Sequence, residues 1–429
     1  MLRHHLLITF RNLKKHTGSF FINLIGLSTG LACAFIIYLW VQDEKQFDRF
    51  HEKDSQLYQV LQLGKENDKL VLHEHTQGLL AEAMHKDLPE VEASVPVMDL
   101  VKENMSAVLK TSDKSIRSGG IFAGKQLFEL FSFPLIQGNP KTVLADKSAV
   151  VISENTAIAL FGSVDNVVGK TIDWEITGDK RQATVSGVFK NTPANSSLQF
   201  DFVLTWEMLL TEIWQNGQKW WNEGAQTYLQ LKKGTDLTAF NSKIKDFVKK
   251  YHEGTIFTSF ARPFSSGYLY GKYENGIQSG GRIEYVRLFT IVALFILVIA
   301  CINFMNLSTA KASRRLKEVG IRKTIGSTRK MLIIQFLCEA VVMAFLSLIV
   351  ACLLVLIILP LFNQLTGKQL EFPVTAEVIF MMIGVTLLTG LLAGSYPAFY
   401  LSGFSPIAVL KGKIRNSWGE LLARKGLVI

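Results

Sequence analysis

The string Gly169-Lys170-Thr171 has the residue types that end a phosphate-binding loop, where glycine backbone N–H groups cradle phosphates and a lysine neutralises their charge. That loop needs another glycine five residues before Gly169. The position holds Val164, and Gly162 lies two residues too early. No part of the sequence has the complete pattern. We therefore expect no nucleotide site in this chain.

Two further strings resemble hydrolytic motifs. Gly26-Leu27-Ser28-Thr29-Gly30 matches the pattern of a serine nucleophile elbow, but it lies inside an apolar segment with no strand before it. Gly26 and Gly30 are better explained as places where a neighbouring helix packs closely. His73-Glu74-His75 lacks the four-residue spacing that puts two zinc ligands on one helix face. We expect no catalytic residue, no cofactor and no metal site.

Four apolar segments are each long enough to cross about 30 Å of hydrocarbon as a helix. They are Phe20–Val41, Leu288–Ala310, Met331–Phe362 and Val378–Leu410, and Glu339 is the one charged residue among them. The first segment is too long for a signal peptide and has no cleavage site, so it is predicted to be retained.

Lysine and arginine are concentrated in three places: four before the first segment, eight between the second and third, and five after the fourth. The positive-inside rule therefore predicts that both termini and the middle basic segment are cytoplasmic. The net charge of +10 then reflects topology and gives no reason to expect a nucleic-acid partner. Residues 42–286 form one extracytoplasmic region, which contains none of the four cysteines.

These observations predict a membrane protein with four transmembrane α-helices and a large mixed α+β domain inserted between helices 1 and 2. The predicted boundaries are an amphipathic N-terminal helix at 1–18, membrane helices at 19–42, 283–310, 331–362 and 378–404, the inserted domain at 43–282, a cytoplasmic loop at 311–330, an outer turn at 363–377 and a cytoplasmic tail at 405–429. Phe47, Phe50 and Leu57 suggest that the first helix continues outward as a stalk, although a loose linker is an alternative.

Within the inserted domain, short β-branched or aromatic runs predict strands and apolar residues at helical spacing predict helices. The strands are 57–63, 149–152, 183–189, 200–205 and 227–231, and the helices are 76–86, 155–161 and 237–251. Trp206, Trp214, Trp220 and Trp221 form an aromatic-rich stretch. Core or lid packing is its simpler explanation, and a surface that binds an apolar export substrate is the alternative.

The basic segment Asn306–Met331 has a pattern beyond its charge. Glu318 and Arg322 have the favourable i, i+4 order on a short predicted helix, and Gly326 is a natural helix stop. Ser327 or Thr328 can cap the next helix. A basic loop could serve topology alone, but a helix, a stop and a new cap favour docking to a cytoplasmic partner.

The whole chain resembles the MacB/FtsX-like permeases of ABC transporters. Strings that are similar to the family's periplasmic domain include Phe47-Asp-Arg-Phe-His51, Phe131-Ser-Phe-Pro134 with its continuation to Pro140, Val150–Asn155 with Leu160-Phe-Gly162, and Gly187–Asn195. Arg315, Glu318, Gly320, Arg322, Gly326 and Glu339 match the family's basic loop and the following helix, and Gly390–Pro397 with Pro406 and Leu410 match its last membrane helix.

The resemblance implies a non-catalytic permease subunit in a bacterial inner membrane. A separate ABC ATP-binding subunit would dock on Arg315, Glu318, Gly320, Arg322 and Gly326, while Gly26, Gly30, Gly390 and Gly394 would serve helix packing. The family also implies membrane lipids, a periplasmic adaptor, an outer-membrane channel, and a dimer or a second four-helix half as partners. The family's functions include lipoprotein release, peptide or macrolide export and hydrolase activation, and no residue here selects among them.

Two expectations remain open. Arg424-Lys-Gly-Leu-Val-Ile429 looks like the start of a fifth span, which suggests that the 429 residues are the first half of a longer protein or a truncated product. A membrane-anchored sensor or scaffold with a ligand-binding outer domain is the alternative function.

Overall fold

A computed structural model of the protein describes the backbone of residues 17–403, and the side chains of that range except residues 17, 19 and 310–318. The predicted N-terminal amphipathic helix therefore lies almost wholly outside the described residues, as do the predicted tail and the suggested fifth span. The chain divides into a membrane unit, residues 1–42 with 286–429, and a globular unit, residues 43–285.

The described helices include four that are long and apolar enough to cross a membrane. In chain order the α-helices are α1 (Thr17–Gln46), α2 (Leu80–Asp87), α3 (Leu127–Leu130), α4 (Glu154–Phe161), α5 (Trp206–Met208), α6 (Leu237–Ile244), α7 (Ser266–Leu269), α8 (Ile283–Thr324), α9 (Arg329–Thr366) and α10 (Ala376–Gly403). The long helices α1, α8, α9 and α10 confirm the four predicted spans.

In lipid, the hydrophobic effect does not drive helices together, because lipid tails are as apolar as the side chains. Close helix packing in the membrane unit therefore depends on small residues that let backbones approach. A Cβ placed on Gly30 of α1 would lie 2.6 Å from the Ala300 Cβ of α8, and one on Gly394 of α10 would lie 2.4 Å from the Ala340 Cβ of α9. A Cβ placed on Gly26 or on Gly390 would lie 3.0 Å from the nearest atom of another helix. All four glycines therefore lie where another helix approaches closely.

The globular unit is built on one mixed sheet of 14 strands. The strands are β1 (Leu57–Glu66), β2 (Lys69–His73), β3 (Thr76–Gln77), β4 (Val91–Asp99), β5 (Ala107–Lys110), β6 (Ser115–Ser118), β7 (Gly120–Ala123), β8 (Leu135–Gln137), β9 (Ala149–Ser153), β10 (Thr171–Ile176), β11 (Asp179–Phe189), β12 (Phe202–Thr205), β13 (Glu223–Leu231) and β14 (Thr258–Pro263), with β15 (Lys272–Glu274) and β16 (Ile277–Gly280) as a separate hairpin.

The order along the sheet is β14-β1-β13-β4-β7-β12-β9-β11-β10-β5-β6, with β2, β3 and β8 added beside β1, β13 and β11. The pairs β9–β11 and β7–β12 are parallel. Every residue of the apolar run β9 is buried, as expected for a strand covered on both faces. The predicted mixed α and β domain is confirmed.

Three predicted elements differ from the structure. The helix predicted at 76–86 begins only at Leu80, because Thr76 and Gln77 pair with β13. The helix predicted at 237–251 ends at Ile244, and a 3-10 turn follows. The stalk prediction for Phe47, Phe50 and Leu57 is wrong as a helix: α1 ends at Gln46, Asp48 has a φ of 60°, and Leu57 begins β1.

We predict that Gly394→Ala lowers the thermal unfolding temperature of the purified protein in detergent, because the new methyl group must displace α9. The expected cost is about 1–3 kcal/mol, as for other overpacked sites. Gly384→Ala on the same helix is the matched control, since no atom lies within 4 Å of its added Cβ. That control should be neutral or slightly stabilising. Equal shifts in both variants would contradict the packing explanation.

Candidate functional site

A fully buried carboxylate lies in the last turn of α1. Glu44 has no exposed surface. Its oxygens accept hydrogen bonds from Tyr268 Oη at 3.0 Å and from Arg282 Nε and Nη2 at 3.2 and 3.4 Å. The Arg282 guanidinium also lies 4.6 Å above the Tyr268 ring, and Phe47 stacks on that ring with centroids 3.5 Å apart. We call these four residues the Glu44 clasp.

The clasp is held together by charge compensation. A carboxylate removed from water is stable only if cations and hydrogen bonds replace its hydration. Arg282 supplies the cation from the residue just before α8, and Tyr268 supplies a hydroxyl from α7. The end of α1, the α7 turn and the start of α8 are thereby joined within residues 43–285.

Asp48 fixes the turn that follows α1. Its backbone N–H donates to Asn195 O at 2.8 Å, and its Oδ1 accepts from Ser197 N at 2.6 Å. The side chain is 1% exposed. Burial raises the pKa of this carboxyl to about 6, although the Ser197 hydrogen bond acts in the opposite direction.

His51 anchors the same turn in an aromatic pocket. Its Nδ1 accepts a hydrogen bond from Ser132 N at 3.2 Å. The rings of Phe131, Phe133 and Phe264 lie with centroids 5.2 to 5.6 Å from the imidazole. Burial lowers the pKa of His51 to about 4, so the ring is neutral near pH 7.

Asp48 and His51 bring together three of the strings that carry the family resemblance, at 47–51, 131–140 and 187–195. The string at 47–51 contacts the string at 131–140 through His51 and the end of the string at 187–195 through Asp48. We refer to these contacts and the Glu44 clasp together as the α1 joint. The sequence pointed to each string, but it gave no signal that they meet.

The turn between α8 and α9 is defined by Gly326 and Thr328. Gly326 has a φ of 105°, and Thr328 Oγ1 accepts a hydrogen bond from Met331 N at 3.4 Å. The predicted helix stop and the Thr328 cap are therefore confirmed. The basic segment is less of a loop than expected, since α8 continues without a break to Thr324.

Side chains tie this turn to α9 and α10. Arg322 donates to Gln335 Oε1 at 2.8 Å, and Lys323 donates to the Ser402 carbonyl at 2.7 Å. Gly320 is buried. Ile321 and Ile325, by contrast, are 51% and 81% exposed. Arg315 and Glu318 lie on α8, but their side chains are outside the described set, so the predicted Glu318–Arg322 pair stays a prediction.

The remaining motif residues do not assemble into a site. His73 and His75 lie beside different carboxylates, Glu66 and Glu103, at 3.3 and 3.5 Å. Lys170 lies over the Phe161 ring at 4.9 Å. Within the described residues, no group of three or more His, Cys, Asp or Glu side chains could hold a metal ion.

The four tryptophans divide among separate contacts. Trp206 and Trp214 pack edge to face with centroids 6.1 Å apart, whereas Trp220 stacks on Tyr251 at 4.2 Å. Trp221 is 62% exposed. Core packing therefore accounts for three of them, and they do not form one continuous aromatic surface.

Comparison with known proteins gives matches along most of the chain. The family profile described as MacB-like periplasmic core domain matches residues 20–247, and the profile described as FtsX-like permease C-terminal matches residues 290–406. The first match covers more than half of the chain. The first profile covers α1 and most of the globular unit, and the second covers the later membrane helices.

Similar relatives carry the name macrolide export ATP-binding/permease protein MacB. The Bdellovibrio bacteriovorus protein is 32% identical over 43% of this chain and 27% of its own length. The Neisseria meningitidis protein is 27% identical over 67% of this chain and 42% of its own length. This chain thus spans less than half the length of these relatives.

Solved structures similar to this chain include a domain of a Porphyromonas gingivalis protein described as a permease, with a TM-score of 0.42, 20% identity, and coverage of 50% of this chain and 93% of that one. The periplasmic region of MacB from Actinobacillus actinomycetemcomitans gives a TM-score of 0.36 at 16% identity, with coverage of 50% and 90%.

We predict that Arg282→Ala destabilises the protein by about 2–3 kcal/mol, because it leaves the buried Glu44 carboxylate without its cation. This cost is smaller than that of breaking a fully buried pair, because the arginine is half-exposed and water screens its charge. Thermal unfolding in detergent measures the effect. Arg49→Ala, an exposed arginine in the next turn, is the control and should change little. A loss no larger than that of the control would show that the clasp contributes nothing.

We also predict a pH-dependent effect of Asp48→Asn. The folded-state pKa of Asp48 is raised from 3.8 to about 6, so its favourable contribution is full below pH 3.8 and is lost as the pH rises through about 6. Asparagine keeps an acceptor for Ser197 and does not ionise. The variant should therefore gain stability relative to the natural protein between pH 4 and 7, by up to about 3 kcal/mol. Denaturant unfolding across this pH range tests the slope; a constant difference would refute it.

Proposed function

The chain belongs to the family of permeases that combine a MacB-like periplasmic core domain with an FtsX-like C-terminal domain, and from this we propose that it couples ATP hydrolysis on a separate ABC ATP-binding subunit to movement of its core domain. The chain is a multi-pass membrane protein with a permease architecture. In this proposal it binds no nucleotide itself, both termini are cytoplasmic, and the core domain is periplasmic.

The observation that carries the proposal is the α8–α9 turn. Ile321 and Ile325 are exposed there, while Arg322 and Lys323 form hydrogen bonds with α9 and α10. A turn braced in this way can transmit a push to two membrane helices, because its own geometry resists change. We propose that Ile325 and Ile321 contact the ATP-binding subunit, with Arg315 and Glu318 beside them on α8. Gly320, Arg322 and Gly326 would maintain the turn.

The α1 joint supplies the other end of the proposed coupling. Glu44 lies at the end of α1 and Arg282 just before α8, so the clasp joins these two positions directly. Asp48 and His51 fix the adjoining turn to the sheet domain. We propose that motion of α1 and α8 reaches the core domain through this joint.

The relatives' names assign them macrolide export and ATP binding in one protein. For this chain we propose export or another envelope function, with the ATP-binding domain on a partner. A periplasmic adaptor, an outer-membrane channel and a second four-helix half or copy are further proposed partners. The matches to the two permease profiles favour this proposal over the sensor or scaffold alternative.

We predict that Ile325→Asp weakens binding to the ATP-binding subunit about tenfold or more, as expected when one buried isoleucine contact is replaced by a charge. Co-purification and surface plasmon resonance with that subunit measure the loss. Ile277→Asp is the matched control, because Ile277 is 73% exposed but belongs to the globular unit. The control should bind normally.

A second comparison tests the coupling itself. Glu318→Ala and Gly326→Pro should reduce the ATPase stimulation that the subunit gains from this chain, the latter because proline cannot adopt the φ of 105° at Gly326. Full binding and full stimulation in both variants would rule out a coupling role for this turn.

A further inference from the structure

The globular unit contains a cleft of about 680 Å³. One wall is α2, the other is the segment from Trp206 to Gln218, and the floor comes from β4 and the turn at 124–126. Its volume lies within the range of ligand-binding clefts. The cleft belongs to residues 43–285 alone, and the proposed coupling function makes no use of it.

The wall from Trp206 to Gln218 is held in a fixed shape. It contains a π-helical turn, Leu209–Ile213, a rare conformation that is frequent at functional sites. Behind it, Glu212 forms ion pairs with Lys147 and Arg181. The cleft wall is therefore built before any ligand arrives.

Trp214 anchors the end of this wall in a slot made by glycines. A Cβ on Gly217, Gly224 or Gly78 would lie 2.4, 2.9 or 3.2 Å from its ring. No larger residue fits at the first two positions without moving the indole. The glycines at these positions therefore make room for the Trp214 indole, a role that sheet formation alone does not require.

The cleft lining combines apolar surface with an excess of carboxylates. Trp206 and Leu210 contribute apolar surface. The lining also contains two carboxylates, Glu82 and Glu207, one ammonium group, Lys125, and one imidazole, His85. The Lys125–Glu207 pair is 3.2 Å long and its side chains are 59% and 47% exposed, so it is weak and exchangeable. Glu82 is exposed, and among the described residues it forms no ion pair.

Two amide side chains in the lining keep hydrogen-bonding capacity. In the hydrogen bonds of the described residues, Gln126 uses its Oε1 to accept from Ser94 N, and Gln218 uses its Nε2 to donate to Leu210 O. The Gln126 amide N–H₂ and the Gln218 carbonyl remain for a ligand. A donor in the floor and an acceptor in one wall suit a peptide backbone.

We propose that this cleft binds an extended peptide segment that has a basic side chain next to an apolar one. The basic side chain pairs with Glu82, the apolar side chain packs on Trp206 and Leu210, and the peptide backbone pairs with Gln126 and Gln218. The segment is a ligand of the core domain and is distinct from the ATP-binding partner.

The test uses the full chain in detergent and a fluorescein-labelled peptide, acetyl-Leu-Arg-Phe-Arg-Leu-amide, followed by fluorescence anisotropy. An acidic peptide with Glu in place of Arg and a peptide with Gly in place of Leu and Phe are the ligand controls. We expect both to bind at least tenfold more weakly than the basic apolar peptide. Similar affinities for all three would overturn the proposal.

Variants locate the binding to the cleft. Glu82→Gln should weaken the basic peptide about threefold to tenfold, the scale of one partly exposed ion pair. Thr211→Trp, at an exposed position of the lining, should fill the cleft and abolish binding. Glu253→Gln, an exposed carboxylate outside the lining, is the matched control.

Near-ultraviolet circular dichroism verifies that each variant is folded. Normal binding by a folded Thr211→Trp variant would overturn the assignment of the peptide to this cleft. Normal binding by Glu82→Gln would overturn the pairing of Glu82 with the basic side chain of the peptide. Neither result depends on the ATP-binding subunit, so failure here leaves the proposed coupling function standing and can be distinguished from its failure.

Discussion

A buried negative charge at the end of a membrane helix dictates the arrangement of everything around it. Glu44 has no exposed surface, so the chain must bring a cation and a hydroxyl to it from residues more than 220 positions away. Gly281 makes this possible, because a Cβ there would lie 2.6 Å from the Leu269 carbonyl. The close approach of backbone to backbone puts Arg282 within reach of the carboxylate.

The same joint shows what the sequence could and could not predict. Membrane helices and strands such as β9 were predictable, because long or continuous apolar runs have few alternatives in water or lipid. The end of α1 was not: Phe47 and Phe50 have helical spacing, but Asp48 adopts a positive φ that its contacts with Asn195 and Ser197 stabilise. Contacts between residues distant in sequence override local preference there.

The α8–α9 turn shows a different limit. Gly326 and Thr328 predicted the stop and the cap correctly, because both act through their own backbone and neighbouring N–H groups. The partners of Arg322 and Lys323 lie on α9 and at Ser402, which no local pattern indicates. The sequence predicted only a short helix within a basic loop, whereas α8 continues without a break to Thr324 and its Arg322 and Lys323 bond to α9 and α10.

Asp48 and His51 lie three residues apart in one turn, and their protonation equilibria have opposite effects on folding. Stability from Asp48 falls as the pH rises from 3.8 to about 6, whereas His51, with its pKa lowered from 6.5 to about 4, adds stability as the pH rises through nearly the same interval. The two slopes cancel in large part. The net effect of protonation at this turn on folding is therefore small between about pH 4 and 6.5, and the connection after α1 keeps nearly the same stability in mild acid and near neutrality.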